Sequence, residues 1–471
     1  MWHLQLAELR GSWSTWIGVS LAFVATNFAL VLSVLTMVAG IRFMQVQDLD
    51  PLDSAAFVIT PAQNLLFCIA VGIVVIGTAT NMALNARRGA LARLSLNGAT
   101  PPQIVGTVVV QLVVVSLVSS LIGSLLAVAA LRPALNFLAF ERTQAGTSMP
   151  VPDPVYSLWP ILATTLGAIA VAVLGGIRHA IRSSKIAPVE AVREHTADGL
   201  TIRMTVGRSI TTGLVALVLI AAYSSIAAFT SEPNSETVSN LILLSMTVLV
   251  IFAVLLALLA PILIGPLTKA WVRLLPLPFA SWQLARRTVS ARARRLTRSV
   301  VPVMMTIGLL LGMLAIWGSL EATLIANGYD IEITASGPAS LLVFLGLPLM
   351  ISLADGVGSL IMMSRQRDAE LALIGIVGAT PRQRIFVPLL EAVIITVTAT
   401  LLGMVMAAGA LAVVAVGLPS AGMTYAFVPP MATLTATILA VLVITISATV
   451  LPTLQALRKV EPLVIARLVA D

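Results

Sequence analysis

Residues 87–111 read RRGALARLSLNGATPPQIVGTVVVQ, and residues 367–391 read RDAELALIGIVGATPRQRIFVPLLE. Both open on Arg (Arg87, Arg367), pass through a short mixed segment, reach Gly-Ala-Thr-Pro-x-Gln and run into a long apolar stretch. The two glycines are offset by 378 − 98 = 280 residues. The chain is therefore an internal duplication, and the repeated stretch marks the place where a polar segment turns into a membrane span. Local chemistry dictates the turn. Gly98 and Gly378 suit the left-handed position that ends a helix. Thr100 and Thr380 suit N-caps, Pro101 and Pro381 the first helical position, and Gln103 and Gln383 the third residue of a capping box. The pattern predicts a short helix at about 87–97 and at 367–377, a two-residue turn, and a capped spanning helix. In the second copy Leu371, Ile374 and Val377 recur every third residue, giving an apolar stripe beside a polar face. Such a helix either lies on lipid headgroups or docks a cytoplasmic partner, and both readings stay open here.

Composition sets the class. Of 471 residues, 58% are hydrophobic and 10% charged, and the mean hydropathy is +1.02. Soluble domains carry about 25% charged residues, so this is a polytopic membrane protein. Apolar runs of spanning length occur at roughly 16–41, 62–85, 104–131 and 156–178, at 209–230 and 241–266, and at 299–319, 339–363, 384–415 and 431–453. The predicted fold class is an all-α integral membrane protein: ten transmembrane helices as two four-helix repeats joined by a two-helix linker. The units are 1–200, with the hairpin segment 87–100; 201–275; and 276–471, with the hairpin segment 367–380. The connections on the far side (42–61, 132–155, 231–240, 320–338 and 416–430) are too short for an independent domain. The first apolar run is expected to be a retained span rather than a cleaved signal.

The net charge of +8 is segregated. On these spans only Arg42, Arg132 and Arg142 lie on one side, and the other 25 of 28 Lys+Arg lie on the opposite side. That is the positive-inside pattern, so the basic face, with both termini, is expected to be cytoplasmic. The charge is accounted for by orientation and anionic lipid, and a nucleic-acid partner is not expected. Basic, Trp-bearing segments precede the first and seventh spans: Trp2, Trp13 and Trp16 in one; Trp271, Trp282, Arg286 and Arg287 in the other. They suit amphipathic helices at the inner face.

Catalytic chemistry has no visible residues. Cys68 is the only cysteine, and His3, His179 and His195 fall at or near the cytoplasmic side, so no metal site is expected. No G-x-x-x-x-G-K-[ST] occurs, and none of Lys185, Lys269 and Lys459 follows a glycine. Only Asp355 and Glu391 are acidic residues within spans, and Gln111 occupies the place of Glu391 in the first repeat. Glu391 suits pairing with a nearby Arg or the backbone. Asp355, beside Gly356 and Gly358, either lines a cavity or accepts a hydrogen bond across a close helix contact.

The repeated hairpin stretch, best kept at 367–383, is followed by Glu391. With it come Gly403 in LLGMVMA, its counterpart Gly123 in LIGSLLA, and PVEAVR at 188–193 with a degraded form at 462–467. On these residues the chain resembles the FtsX-like permeases of the type VII ABC transporters. The 4+2+4 arrangement resembles the ten-span permeases of the bacitracin-resistance type, although only about 20 residues, 320–338, stand where those carry a large extracellular domain. The resemblance implies a permease without its own ATPase site, in a bacterial cell membrane, served by two copies of a cytoplasmic ABC ATPase. ATP and Mg would be held on those partner subunits, with no cofactor in this chain. It implies ATPase docking through Arg87, Leu91, Leu94, Gly98 and Thr100, and through Arg367, Glu370, Leu371, Ile374, Gly378 and Thr380. The implied activity is mechanotransmission that moves or extrudes an amphiphilic or hydrophobic substrate: antimicrobial peptide, lipid or drug. The alternatives are an ATP-driven regulator acting on a cell-envelope partner and, with less support from the sparse intramembrane charge, a secondary transporter.

Overall fold

The computed structural model describes residues 13–46, 51–86, 94–96, 98–144, 150–184, 206–230, 237–276, 278–291, 293–328, 338–376, 378–427 and 431–457. Among them every regular element is helical. The first half comprises α1 (Trp13–Val46), α2 (Pro51–Ala86), α3 (Pro101–Gln144) and α4 (Leu158–Ser184). The linker is α5 (Val206–Thr230) and α6 (Thr237–Arg273). A short α7 (Ala280–Ala291) precedes the second half: α8 (Ala293–Ala326), α9 (Pro338–Ile376), α10 (Pro381–Ser420) and α11 (Met431–Leu457). Nine of these helices are long and apolar enough to cross a membrane, and α11 contributes a shorter apolar stretch, Leu434–Ser447.

The helices outrun the apolar runs that mark them. The sequence placed loops at 42–61 and 132–155, but α2 begins at Pro51 and α3 continues to Gln144, so Arg132 is helical. Hydropathy registers only what must sit in hydrocarbon, whereas a helix ends where its backbone is capped. A second difference matters more. The segment 367–376 is not a separate helix after the span at 339–363; both belong to the unbroken α9. Nothing between Met362 and Gly375 is a proline, so no local chemistry stops the helix before Gly378.

The two halves pack alike. In each, the first helix lies against the second and third, and the fourth covers the second and third. Glycines seat the crossing of first and third helices in both. A Cβ on Gly123 would fall 2.7 Å from the Val24 carbonyl oxygen of α1, and one on Gly403 would fall 3.1 Å from the Gly308 nitrogen of α8. In lipid, helix association depends on such close approach because apolar surface gains nothing by leaving acyl chains. Beside Gly123, Asn27 donates to the Ser120 carbonyl at 2.7 Å and to Ser124 Oγ at 2.8 Å.

The linker breaks this symmetry. α6 packs on α10 and α8 of the second half and only its flank meets α2. It is stapled there by Ser245 Oγ donating to the Ala410 carbonyl at 2.8 Å and by Trp271 Nε1 donating to Thr398 Oγ1 at 3.0 Å. As a result α1 packs directly on α9, while its counterpart α8 scarcely touches α2. At the α1–α9 crossing Gly18 and Gly358 meet backbone to backbone: a Cβ on Gly18 would lie 2.4 Å from the Gly358 carbonyl oxygen. One continuous core, including Trp16, Leu112, Leu249, Met304 and Ile394, joins both halves and the linker.

Prolines inside the helices leave carbonyls four residues earlier without their N–H donor. Pro261 leaves that of Ala257. Arg208, at the start of α5, supplies the missing donor and serves the next carbonyl as well: its Nη2 lies 3.0 Å from the Ala257 oxygen and its Nε 2.7 Å from the Leu258 oxygen. The planar guanidinium serves two neighbouring acceptors at once. Pro61 likewise leaves the Phe57 carbonyl, and this oxygen lies where a Cβ on Gly40 would stand. Only glycine admits it.

Trp16 and Trp282 do not sit among headgroups as the sequence suggested. Trp16 is 1% exposed within the core, and Trp282 is buried, its ring tilted against that of Trp271 at 6.5 Å and its Nε1 donating to the Leu275 carbonyl at 2.9 Å. The expected amphipathic helix exists as α7, but its Trp faces the protein. Trp2 lies outside the described residues.

Candidate functional site

The two elbows are built as their sequences dictate. Gly98 and Gly378 have φ of +85° and +99°, with nothing within 4 Å of the place a Cβ would take. Their need for glycine is therefore conformational, not steric. At the first elbow the Gly98 N–H donates to the Ser95 carbonyl at 3.1 Å and the Ala99 N–H to the Leu94 carbonyl at 3.0 Å, a full Schellman closure. At the second, the Gly378 N–H donates to Gly375 at 3.0 Å. Thr380 then caps α10: its Oγ1 accepts from the Gln383 N–H at 3.3 Å, and Gln383 Oε1 accepts from the Thr380 N–H at 2.9 Å. At the first elbow Gln103 Oε1 makes the same return bond to the Thr100 N–H at 2.9 Å. Two bends of matching construction thus stand at one end of the bundle.

The docking residues fare unequally. Arg87 and Leu91 lie outside the described residues. Arg367, Glu370, Leu371 and Ile374 lie on α9, and only their backbone is described. Leu94 turns inward and packs against the main core, so it anchors the elbow instead of presenting a free knob. Thr100, Gly98, Gly378 and Thr380 are at or near the surface. Sequence reasoning missed Leu96 and Ile376. These are 62% and 59% exposed and stand at 376 − 96 = 280, the repeat offset. Each is a large apolar side chain two residues before the turn glycine. The signal was present as an apolar residue at the same place in both copies, but the third-residue stripe drew attention to its neighbours.

At the seam between halves Asp355 is 2% exposed and its Oδ2 accepts from Thr78 Oγ1 at 2.9 Å. Of the two readings the sequence left, a hydrogen bond across a close helix contact is the one found. Thr78 and Asp355 come from α2 and α9, the second span of each repeat, and Gly358 lies one turn beyond on α9. Repeat arithmetic shows that the pair is one-sided. The counterpart of Thr78 is Gly358 (358 − 78 = 280) and that of Asp355 is Val75 (355 − 75 = 280). One diagonal of the seam is polar and the other apolar.

Gln111 and Glu391 are both buried on the third span of their halves, and Glu391 shares α10 with the equally buried Arg384. None of the three is without a partner. Asp355 takes its hydrogen bond from Thr78 of α2, whereas Gln111 and Glu391 stand on the third spans. Among the described residues no group of His, Cys, Asp and Glu could hold a metal ion.

Comparison with known families finds the FtsX-like permease C-terminal family over residues 65–188 and again over 356–460, one match in each half. Both matches contain an elbow and the two spans after it, and each begins within the span before it. A search of the curated proteins finds no match to the chain.

Proposed function

From the premise that this chain is an FtsX-like permease, the transmembrane subunit of a type VII ABC transporter, we propose that it extrudes an amphiphilic or hydrophobic substrate by mechanotransmission. Permeases of this family work with separate ABC ATPase subunits, and two copies would dock here, one at each elbow. The elbow end is taken as cytoplasmic from the segregation of Lys and Arg, in a bacterial cell membrane. The observation that carries the reading is α9. It runs without a break from the far end of the membrane to the second elbow. A push at Ile376 reaches Asp355, 376 − 355 = 21 residues away, through about 30 Å of helix. There the helix meets α1 at Gly18 and α2 at Thr78, so the stroke arrives at the contact between halves.

Leu96 and Ile376 are the proposed knobs. Burial of one large aliphatic side chain contributes about 1.5–3 kcal/mol, and a matched pair suits two identical subunits. The test is co-purification and ATP hydrolysis with the ATPase subunit in nanodiscs. I376D and L96D are expected to lower permease-dependent ATP hydrolysis at least about tenfold. Both variants retaining full stimulation of the ATPase would overturn the docking assignment. ATP-driven signalling to an envelope partner uses the same elbows, and substrate efflux by the reconstituted complex separates the two readings.

A further inference from the structure

α6 holds α8 away from α2, and this leaves a ring of four helices, α2–α6–α8–α9, in which each packs on the next. Across it α2 scarcely touches α8. Bundle interiors of this kind are where ligand sites are built from facing side chains. Polar groups from α2 and α8 lie here, at the end away from the elbows. Asn64 of α2 is 7% exposed and donates from Nδ2 to the Val343 carbonyl of α9 at 2.6 Å. That contact fixes the amide, since turning it over would set oxygen against oxygen. Asn64 Oδ1 is then buried with no hydrogen-bond partner within the described chain. Beside it Gln63 rests its Nε2 on the Met246 sulfur of α6 at 3.7 Å, and Gln63 Oε1 has no partner either. Next to Val343, Phe344 packs at 6.3 Å on Trp317 of α8, whose Nε1 is a buried donor in the same condition.

Two acceptors and one donor, buried and unmatched, are costly in an apolar interior. They belong to two helices of the ring, and their neighbours Met246, Val343 and Phe344 to the other two, so together they offer the complement of a ligand. We propose that this ring binds the polar head of an amphiphile carrying an N–H donor beside an acidic oxygen, with Asn64 and Gln63 taking the donor and Trp317 the oxygen. Access is lateral. Ile59 and Leu66 of α2 are exposed toward lipid, and at about 100° per residue Gln63 stands within about 60° of both. A head drawn in at Gln63 leaves its acyl chains along that stripe.

The inference rests on the proposed function only for the naming of this end as outer, and its test uses neither ATP nor a partner subunit. A failure here therefore leaves the elbow assignment standing. The full chain, purified in detergent, is mixed with phosphatidylethanolamine or phosphatidylcholine, which share the phosphate and of which only the first has N–H donors. Lipid retained per chain is read by native mass spectrometry. The wild type is expected to retain several-fold more phosphatidylethanolamine. N64L and Q63L, each checked for an unchanged melting temperature and each sufficient alone if the other misfolds, are expected to bring retention to the phosphatidylcholine level. W317F, which removes the donor to the oxygen common to both heads, is expected to weaken both lipids. Equal retention of the two lipids by the wild type, or preference kept by every folded Asn64 and Gln63 variant, overturns the proposal and leaves the amide oxygens to ordered water.

Discussion

Single side chains in this protein serve mainly to settle backbone and carboxyl groups that hydrocarbon would leave unsolvated. Arg208 illustrates it: Pro261 breaks the α6 ladder and the guanidinium takes up the Ala257 and Leu258 oxygens. R208A is expected to lower stability by about 1–3 kcal/mol, with R208K recovering only part because an ammonium lacks the fork. Thermal unfolding in detergent reads both, and wild-type stability in R208A would contradict the assignment. Thr78 and Asp355 form the second case. T78V removes the donor and should lose about 0.6–1.7 kcal/mol, the range found for interhelical bonds in membranes. D355N keeps an acceptor oxygen and should lose less than D355L. In a double-mutant cycle, T78V is expected to add little to D355L. Full additivity would mean that the 2.9 Å contact carries no energy.

At the level of the elements, the elbows and α9 carry the argument. G378A forces an L-residue into φ near +99° and is expected to cost about 1 kcal/mol, with G378N milder because Asn tolerates the left-handed region. Equal melting temperatures for G378A and wild type would exclude a conformational role for this glycine. The lever reading makes a separate demand. Three glycines inserted after Gln366 should leave ATPase co-purification intact while abolishing the response of hydrolysis to substrate, because the stroke is lost between Ile376 and Asp355. An unchanged response would show that α9 is not the transmitting element. The elbows were legible in sequence almost atom for atom, since Gly, Thr, Pro and Gln act on their nearest neighbours. The continuity of α9 was not. A polar stretch, 364–370, follows the apolar run, and hydropathy stops at its edge while the helix continues through it to its end. Leu94 and Leu96 show the same limit, for which of two leucines faces the core depends on where the elbow docks.

In the whole molecule, duplication supplies two similar halves and the linker makes them unequal. The repeat could be read from residues 280 apart, as could Gly123 and Gly403 at their helix crossings. The side on which α6 lies could not, because Thr398, Gly409 and Ala410, which receive it, look like any lipid-facing residues until Trp271, Phe252 and Ser245 are placed against them. The Gly18–Gly358 crossing is the direct contact that α6 denies to the other diagonal. G18L is therefore expected to lower the melting temperature sharply. G213L, at a lipid-facing glycine of α5 with nothing within 4 Å, should leave it nearly unchanged. Similar tolerance of both would mean that the halves are held elsewhere.

The reach of Asn64 across the seam also bears on how the protein is made. Its partner carbonyl, at Val343, is encoded 279 residues later. At about 5–20 residues per second of synthesis, α2 spends roughly 15–60 s in the bilayer before that carbonyl leaves the ribosome. Throughout that interval Asn64 lacks its α9 partner, and for the first 246 − 63 = 183 residues of it Gln63 lacks α6 as well. The nascent first half thus holds two amides in the bilayer before the helices that receive them have been made.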